Sequence, residues 1–260
     1  MTTLGEVMIS VARRVGIIWE GPVTAGSAAA LSDPGLGLLG YVNDAWKGGE
    51  VWLTSGSPGV GRPIKSSVGA SGLITADTAF PGTPAVGSGY GVMFNKYTRG
   101  LILSSVNTAL AVAGQFVGED TSLVGDGQSL DFALPAVARL DLRQVWVASQ
   151  AAAPYGWELM LRWRKLGNTL EFTCPPPAMP IRLVYVGCCP WLWKDEDVID
   201  ARIHPELIAA VAAEYMARTM VGVYGEGDGR AQLVIDCRRD AYMAHVLYRA
   251  DLPARTCTVL

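Results

Sequence analysis

The chain has 260 residues, half of them apolar, with 21 Lys and Arg against 24 Asp and Glu and a formal net charge of −3. That length and apolar share support a sizeable core and exclude a disordered chain, while the mildly acidic balance excludes a protein that grips nucleic acid by neutralising phosphates; the one basic cluster is Arg162, Arg164 and Lys165. Charged residues reach only 17%, and Gly numbers 30 and Pro 15, which implies many turns and an exterior partly buried against other chains.

The chain opens with Thr3 and Glu6 in capping-box spacing, followed by Leu4, Val7, Met8, Val11 and Val15 at helical period. Residues 1–16 therefore read as a short amphipathic helix ending near Gly16. Its positive charges, Arg13 and Arg14, follow the apolar positions, the reverse of a signal peptide, and no apolar run is long enough to span a membrane. Synthesis in a cytoplasm is the expectation. From 17 to 94 the text turns Gly-rich. Short apolar runs at Val51 to Leu53, Leu73 to Ile74 and Tyr90 to Phe94 stand between turn signals such as Gly48-Gly49 and Phe80-Pro81-Gly82, as in a small, barrel-like β module.

Residues 95–115 read as a second helix, capped by Asn95 or Thr98, with Ile102, Leu103, Val106, Leu110 and Ala113 on one side and Gly114 as its stop. Residues 116–199 follow as an antiparallel meander, its strands at Val145 to Val147, Leu159 to Trp163, Leu170 to Phe172 and Ile181 to Val186. Residues 200–251 form a helical hairpin. Its first helix, Pro205 to Tyr224, carries Leu207, Ile208, Val211, Ala212, Tyr215, Met216 and Val223 as a stripe, and its second carries Leu233, Val234, Cys237, Ala241, Ala244 and Tyr248 on one face. Residues 252–260 read as an extended tail ordered by a partner. The fold class expected is α+β, a small bundle of four helices with two antiparallel β modules.

No reactive constellation emerges, and no cofactor or metal is expected. Gly35-Leu36-Gly37-Leu38-Leu39-Gly40 matches G-x-G-x-x-G, but it follows Ser32-Asp33-Pro34 without a recognisable strand and no helix is visible after it, so it reads as an accident of Gly content. Gly59 to Ser66 has the flavour of a phosphate loop, but Ile64 stands where a Gly must precede Lys65, which reads instead as a strand-edge charge. The two histidines, His204 and His245, pair with no nucleophile and read as structural. Asp195, Glu196, Asp197 and Asp200 crowd one segment without the spacing of a calcium loop, and read as a solvated turn feeding negative charge to the next helix start. Five cysteines without C-x-x-C spacing read as reduced, with Cys188-Cys189 a buried vicinal pair. Trp146, Trp157, Trp163, Trp191 and Trp193 read as core and interface packing, with a sugar-binding platform as the competing use.

The order of segments carries a resemblance. Arg13-Arg14-Val15-Gly16 and Trp19-Glu20-Gly21 lead to Gly48-Gly49-Glu50-Val51-Trp52 and Val106-Asn107-Thr108-Ala109-Leu110. Phe132-Ala133-Leu134-Pro135, Leu170-Glu171-Phe172, Ile181 to Gly187 and His204-Pro205-Glu206-Leu207-Ile208 follow. The series resembles the head-to-tail adaptor (connector) proteins of the tailed-bacteriophage neck over residues 3 to 225. The resemblance implies a non-enzymatic virion subunit, assembled in the host cytoplasm into a ring of about twelve copies. Its partners would be the portal and the tail or neck proteins, with genomic DNA passing through the lumen without sequence-specific binding and no membrane involved. The candidate assembly interface is Tyr215, Met216, Met220, Tyr248, Leu252 and Leu260. The 17–94 β module is larger than a minimal helical adaptor needs, the last helix with its tail has no counterpart in the adaptor pattern, and both fit a tail-tube or tail-completion protein equally. A glycan-binding virion protein using the tryptophans is a further alternative. A hydrolase would need a carboxylate pair drawn from Asp195 to Asp200.

Overall fold

A computed structural model describes residues 1–55, 59–138, 141–151, 153–224 and 229–248. The fold is α+β, with five helices among the described residues and antiparallel sheets. It divides into two compact units: Met1–Gly114 with Pro190–Arg249, and a second containing Gln115–Cys189. The second unit is thus inserted in sequence into the first.

The first unit starts with α1 (Leu4–Arg14), and the capping box is formed: the Glu6 N–H donates to Thr3 Oγ1 at 3.3 Å and the Thr3 N–H to Glu6 Oε2 at 2.8 Å. Seven short strands follow: β1 (Trp19–Pro22), β2 (Ala25–Ser27), β3 (Ala30–Ser32), β4 (Glu50–Leu53), β5 (Val60–Val68), β6 (Leu73–Ala76) and β7 (Gly89–Met93), with a one-turn helix α2 (Pro34–Gly37) after β3. They pair in the order β1-β7-β4-β5-β6-β3-β2, and the sheet curls into a half-barrel. Its core contains Val23, Leu31, Leu36, Trp46, Val51, Ile64, Ile74, Phe80 and Tyr90. The Tyr90 hydroxyl donates to Asp33 Oδ2 at 3.0 Å, and Asp33 Oδ1 accepts the Gly35 N–H at 2.7 Å, so one buried carboxylate caps α2 and holds the barrel's central phenol. Burial, then the bond to Asp33, raises the Tyr90 phenol far above its ordinary range.

Two readings of glycine-rich text are corrected here. The Gly35 to Gly40 run does follow a strand, β3, and does begin inside a helix, α2, but that helix is a single turn. A Cβ at Gly37 would stand 2.9 Å from the Ala70 carbonyl oxygen, so this glycine serves backbone-to-backbone packing. Lys65 is not at a sheet edge: β5 lies between β4 and β6, and Lys65 sits at the bulge where the β5–β6 register shifts.

Helix α3 (Arg99–Ala113) is capped by Thr98, whose hydroxyl accepts the Leu101 N–H at 3.4 Å. Helices α4 (Pro205–Tyr224) and α5 (Arg230–Tyr248) complete the unit, and α1, α3 and α5 all pack against α4. The single stripe expected on α4 is therefore corrected. Leu207 through Ala213 are all buried, as are Met216, Ala217 and Met220, because three helices surround it and its alanines let their backbones approach. Its exposed positions include Glu206, Arg218 and, in the last turn, Val223, which is 64% exposed.

The second unit is all β: β8 (Gln115–Val124), β9 (Asp131–Ala133), β10 (Asp141–Ala148), β11 (Trp157–Met160), β12 (Trp163–Leu166), β13 (Thr169–Phe172) and β14 (Pro180–Cys188). The expected meander is in fact two sheets, ordered β11-β10-β14-β8 and β12-β13-β9. The run Leu159 to Trp163 breaks after Met160, so β11 and β12 join different sheets. Strand β8, which the apolar runs did not single out, pairs along β14. Its sequence has little alternation to read: buried Phe116 and Gly118 are followed by Glu119 and Asp120.

Met216 has no exposed surface and Val223 lies two turns further along the same helix. Met216→Asp should cost about 3–5 kcal/mol in urea denaturation, and Val223→Asp less than about 0.5 kcal/mol. Equal losses would mean that burial of α4 is not what holds this unit together.

Candidate functional site

In the first unit, the starts of β4 and β5, the N-terminus of α3 and the segment 193–196 surround a cleft of about 580 Å³. Each element delivers its side chain by ordinary local rules. Glu50 heads β4 in register between Pro63 and Met93, and is only 7% exposed. Arg99 opens α3 directly after its cap, Thr98. Asp195 belongs to a turn closed by Asp197, whose Oδ2 accepts the Trp193 and Lys194 N–H groups at 2.7 and 2.8 Å.

The Arg99 guanidinium donates from Nη2 to Asp195 Oδ1 at 2.5 Å, and its Nε lies 4.0 Å from Glu50 Oε1. The other Asp195 oxygen accepts the Gly61 N–H at 3.1 Å, and the Asp195 carbonyl accepts the Gly5 N–H at 3.0 Å. One residue therefore joins α3, β5 and α1. Arg62, also lining the cleft, donates to the carbonyls of Ala79 at 3.0 Å and Gly61 at 2.7 Å. Among the described residues no hydrogen bond reaches the Glu50 carboxylate. Burial pushes its carboxyl up to about 7; Arg99 pulls it down, Asp195 pushes it up and Arg62 pulls it down. The cleft thus holds a carboxyl that exchanges its proton near neutrality. Both oxygens of its acidic neighbour Asp195 are already engaged.

The acidic segment is only in part the solvated turn that its composition implied: Glu196 is exposed, but Asp195 is withdrawn from solvent. Asp195 is an internal anchor with its side chain 10% exposed, Asp197 closes the turn, and Asp200 accepts the Arg202 N–H and binds its guanidinium. The hydrogen bonds lower the carboxyls of Asp197 and Asp200 below the ordinary range. Among the described residues no group of three His, Cys, Asp or Glu side chains is placed to hold a metal ion.

Of the six expected interface residues, Met216 and Met220 are corrected: at 0% and 3% exposed they point into the chain's own helices and cannot reach a neighbour. Tyr215 is half-buried. Tyr248 is exposed and stacks on the His204 ring at 3.8 Å, while His204 Nδ1 accepts the Glu206 N–H at the start of α4. Leu252 and Leu260 lie outside the described residues. The bare apolar side chains of α5 are instead Ile235, Tyr242, Met243, Val246 and Leu247. Cys188 is exposed, not buried like Cys189, because β14 ends there. Trp163 is core, and Trp146 and Trp157 each face the Arg182 guanidinium at 5.0 Å; only Trp191 and Trp193 stand exposed, their rings 6.0 Å apart.

Glu50 and Arg99 were not legible as a site, because their partners lie far away in sequence. The available signal was local: a carboxylate heading the otherwise apolar strand Glu50-Val51-Trp52-Leu53, after two glycines. No family model matches the chain, and no curated protein matches it. No helix among the described residues is long and apolar enough to cross a membrane.

Because Glu50 ionises less readily folded than unfolded, its contribution to stability is complete below the ordinary carboxylate range and is lost as pH rises through about 7. Glu50→Gln has no such charge to bury. Its melting temperature should match wild type near pH 4 and exceed it at pH 8, and parallel pH profiles would refute the burial of this charge.

Proposed function

We propose that the chain is a non-enzymatic structural subunit of a tailed-phage virion, a connector ring between portal and tail whose lumen passes DNA. The sequence resemblance supplies the identity of the assembly. The observation that carries the reading is the outer face of α5: Ile235, Tyr242 and Val246 recur at i, i+7 and i+11, with Met243 and Leu247 beside them, and all are at least 49% exposed. In this reading α1, α3, α4 and α5 form the subunit's bundle, and α5 turns its apolar face to the adjacent copy. Assembly in the host cytoplasm precedes incorporation into the virion.

A glycan-binding virion protein is the second reading, favoured by the exposed Trp191 and Trp193. A glycan array separates the two, since loss of a specific signal in Trp193→Ala belongs only to the second.

Light scattering and negative-stain microscopy of the purified chain should find a monomer or a closed ring of about twelve copies, and a strict dimer would count against the proposal. The double change Tyr242→Asp and Val246→Asp should leave circular dichroism intact and abolish ring formation. Rings that persist in the double variant would remove α5 from the interface.

A further inference from the structure

We propose that the Glu50 cleft is a socket for a guanidinium group, the end of an arginine side chain, held by the Glu50 carboxylate. The inference uses only the cleft and needs no part of the connector reading.

The argument rests on which charges there already have partners. Six charged side chains line the cleft: Glu50, Asp195 and Glu196 against Arg62, Arg99 and Lys194. Arg99 is committed to Asp195, and Arg62 donates to two backbone carbonyls. Asp195 has both oxygens occupied, by Arg99 and by the Gly61 N–H. Lys194 and Glu196 are exposed at the rim. Glu50 alone is both buried and without a hydrogen bond among the described residues, with its side chain 10% exposed and its one close cation 4.0 Å away. The buried group inside the cleft that lacks hydrogen-bond donors is therefore Glu50.

Among donors, a guanidinium fits best. Its planar fork bonds both carboxylate oxygens at once, and it sheds water more readily than an ammonium ion. The cleft also offers an aromatic side chain to a delocalised cation: Trp193, 64% exposed, lines it. A hard divalent cation is less suited, since it needs several oxygen ligands and among the described residues no group of three His, Cys, Asp or Glu is placed to hold one.

Guanidinium binds the ionised carboxylate, so binding expels the Glu50 proton. Arg62, Arg99 and Lys194 favour the ionised form, and Asp195 and Glu196 oppose it. With the free carboxyl near 7, affinity should be roughly tenfold higher at pH 8 than at pH 6.

The test is a titration of the full chain with methylguanidinium at constant ionic strength, followed by calorimetry and by carbon-detected NMR of the Glu carboxyls. The proposal expects saturable binding, the predicted pH dependence, a Glu50 carboxyl titration that moves down by at least about one unit on saturation, and loss of binding in Glu50→Gln. Blocked arginine (acetyl-arginine-methylamide) binding more tightly than free arginine supports a protein side chain as the source, and the reverse supports a small molecule. No saturable binding at pH 8, or binding undiminished in Glu50→Gln, overturns the proposal. Should Glu50→Gln fail to fold, the wild-type carboxyl titration decides alone.

Discussion

The first unit depends on how it receives the chain back after the excursion from Gly114 to Cys189. Asn107, only 1% exposed on α3, does this with one side chain: its Nδ2 donates to the Leu192 carbonyl and its Oδ1 accepts the Leu192 N–H, both at 2.9 Å. The amide imitates a strand partner for a segment that has none, and satisfies two backbone groups that burial would otherwise leave costly. Beyond Leu192 the same segment gives its carbonyls at Asp195 and Asp197 to the N–H groups of Gly5 and Leu4, the first turn of α1. Those are donors that a helix start leaves unmet. Ile199 donates to Thr2 in turn. A short stretch of irregular backbone therefore fixes α1, α3 and the entry to α4 together.

That fixture explains the burial of α4. A helix enclosed by α1, α3 and α5 must be placed accurately along its length, since Ile208, Ala212 and Met216 have no exposed surface in which to absorb a shift. The Arg14 guanidinium helps at one end by pairing with Glu206 in the first turn of α4. Exposed ion pairs of this kind contribute little energy each, so the placement comes mainly from the backbone bonds of the return segment and from packing.

Where the sequence was legible, one local rule decided the outcome. The Thr3 and Glu6 capping box, the Thr98 cap, the strands at Val51 to Leu53 and Tyr90, and the inward face of α5 through Cys237, Ala241 and Ala244 all follow from spacing within a dozen residues. Misreadings arose where a distant partner overrode the pattern. Helix α4 reads as amphipathic until three helices close round it, and Met216 and Met220 read as interface for the same reason. The second unit reads as a meander because a period-2 pattern gives strands but not their neighbours. The acidic run from Asp195 to Asp200 reads as solvated because composition does not show that Arg99 and Gly61 wait for Asp195.

The cleft charges differ in kind from the rest of the architecture. An ion pair withdrawn from water is seldom more stable than apolar residues of the same volume, so its retention calls for another reason. For Arg99 and Asp195 the reason is structural: the pair, with the Gly61 bond, sets the return segment against α3 and β5 at once. Glu50 has no such account. Its backbone already holds register between β5 and β7, and its carboxylate makes no hydrogen bond among the described residues, only a 4.0 Å approach to Arg99 Nε on α3. Apolar residues fill the rest of β4, so a carboxylate at its head is a cost the fold does not require. Its position is understood only through what the open side of the cleft admits.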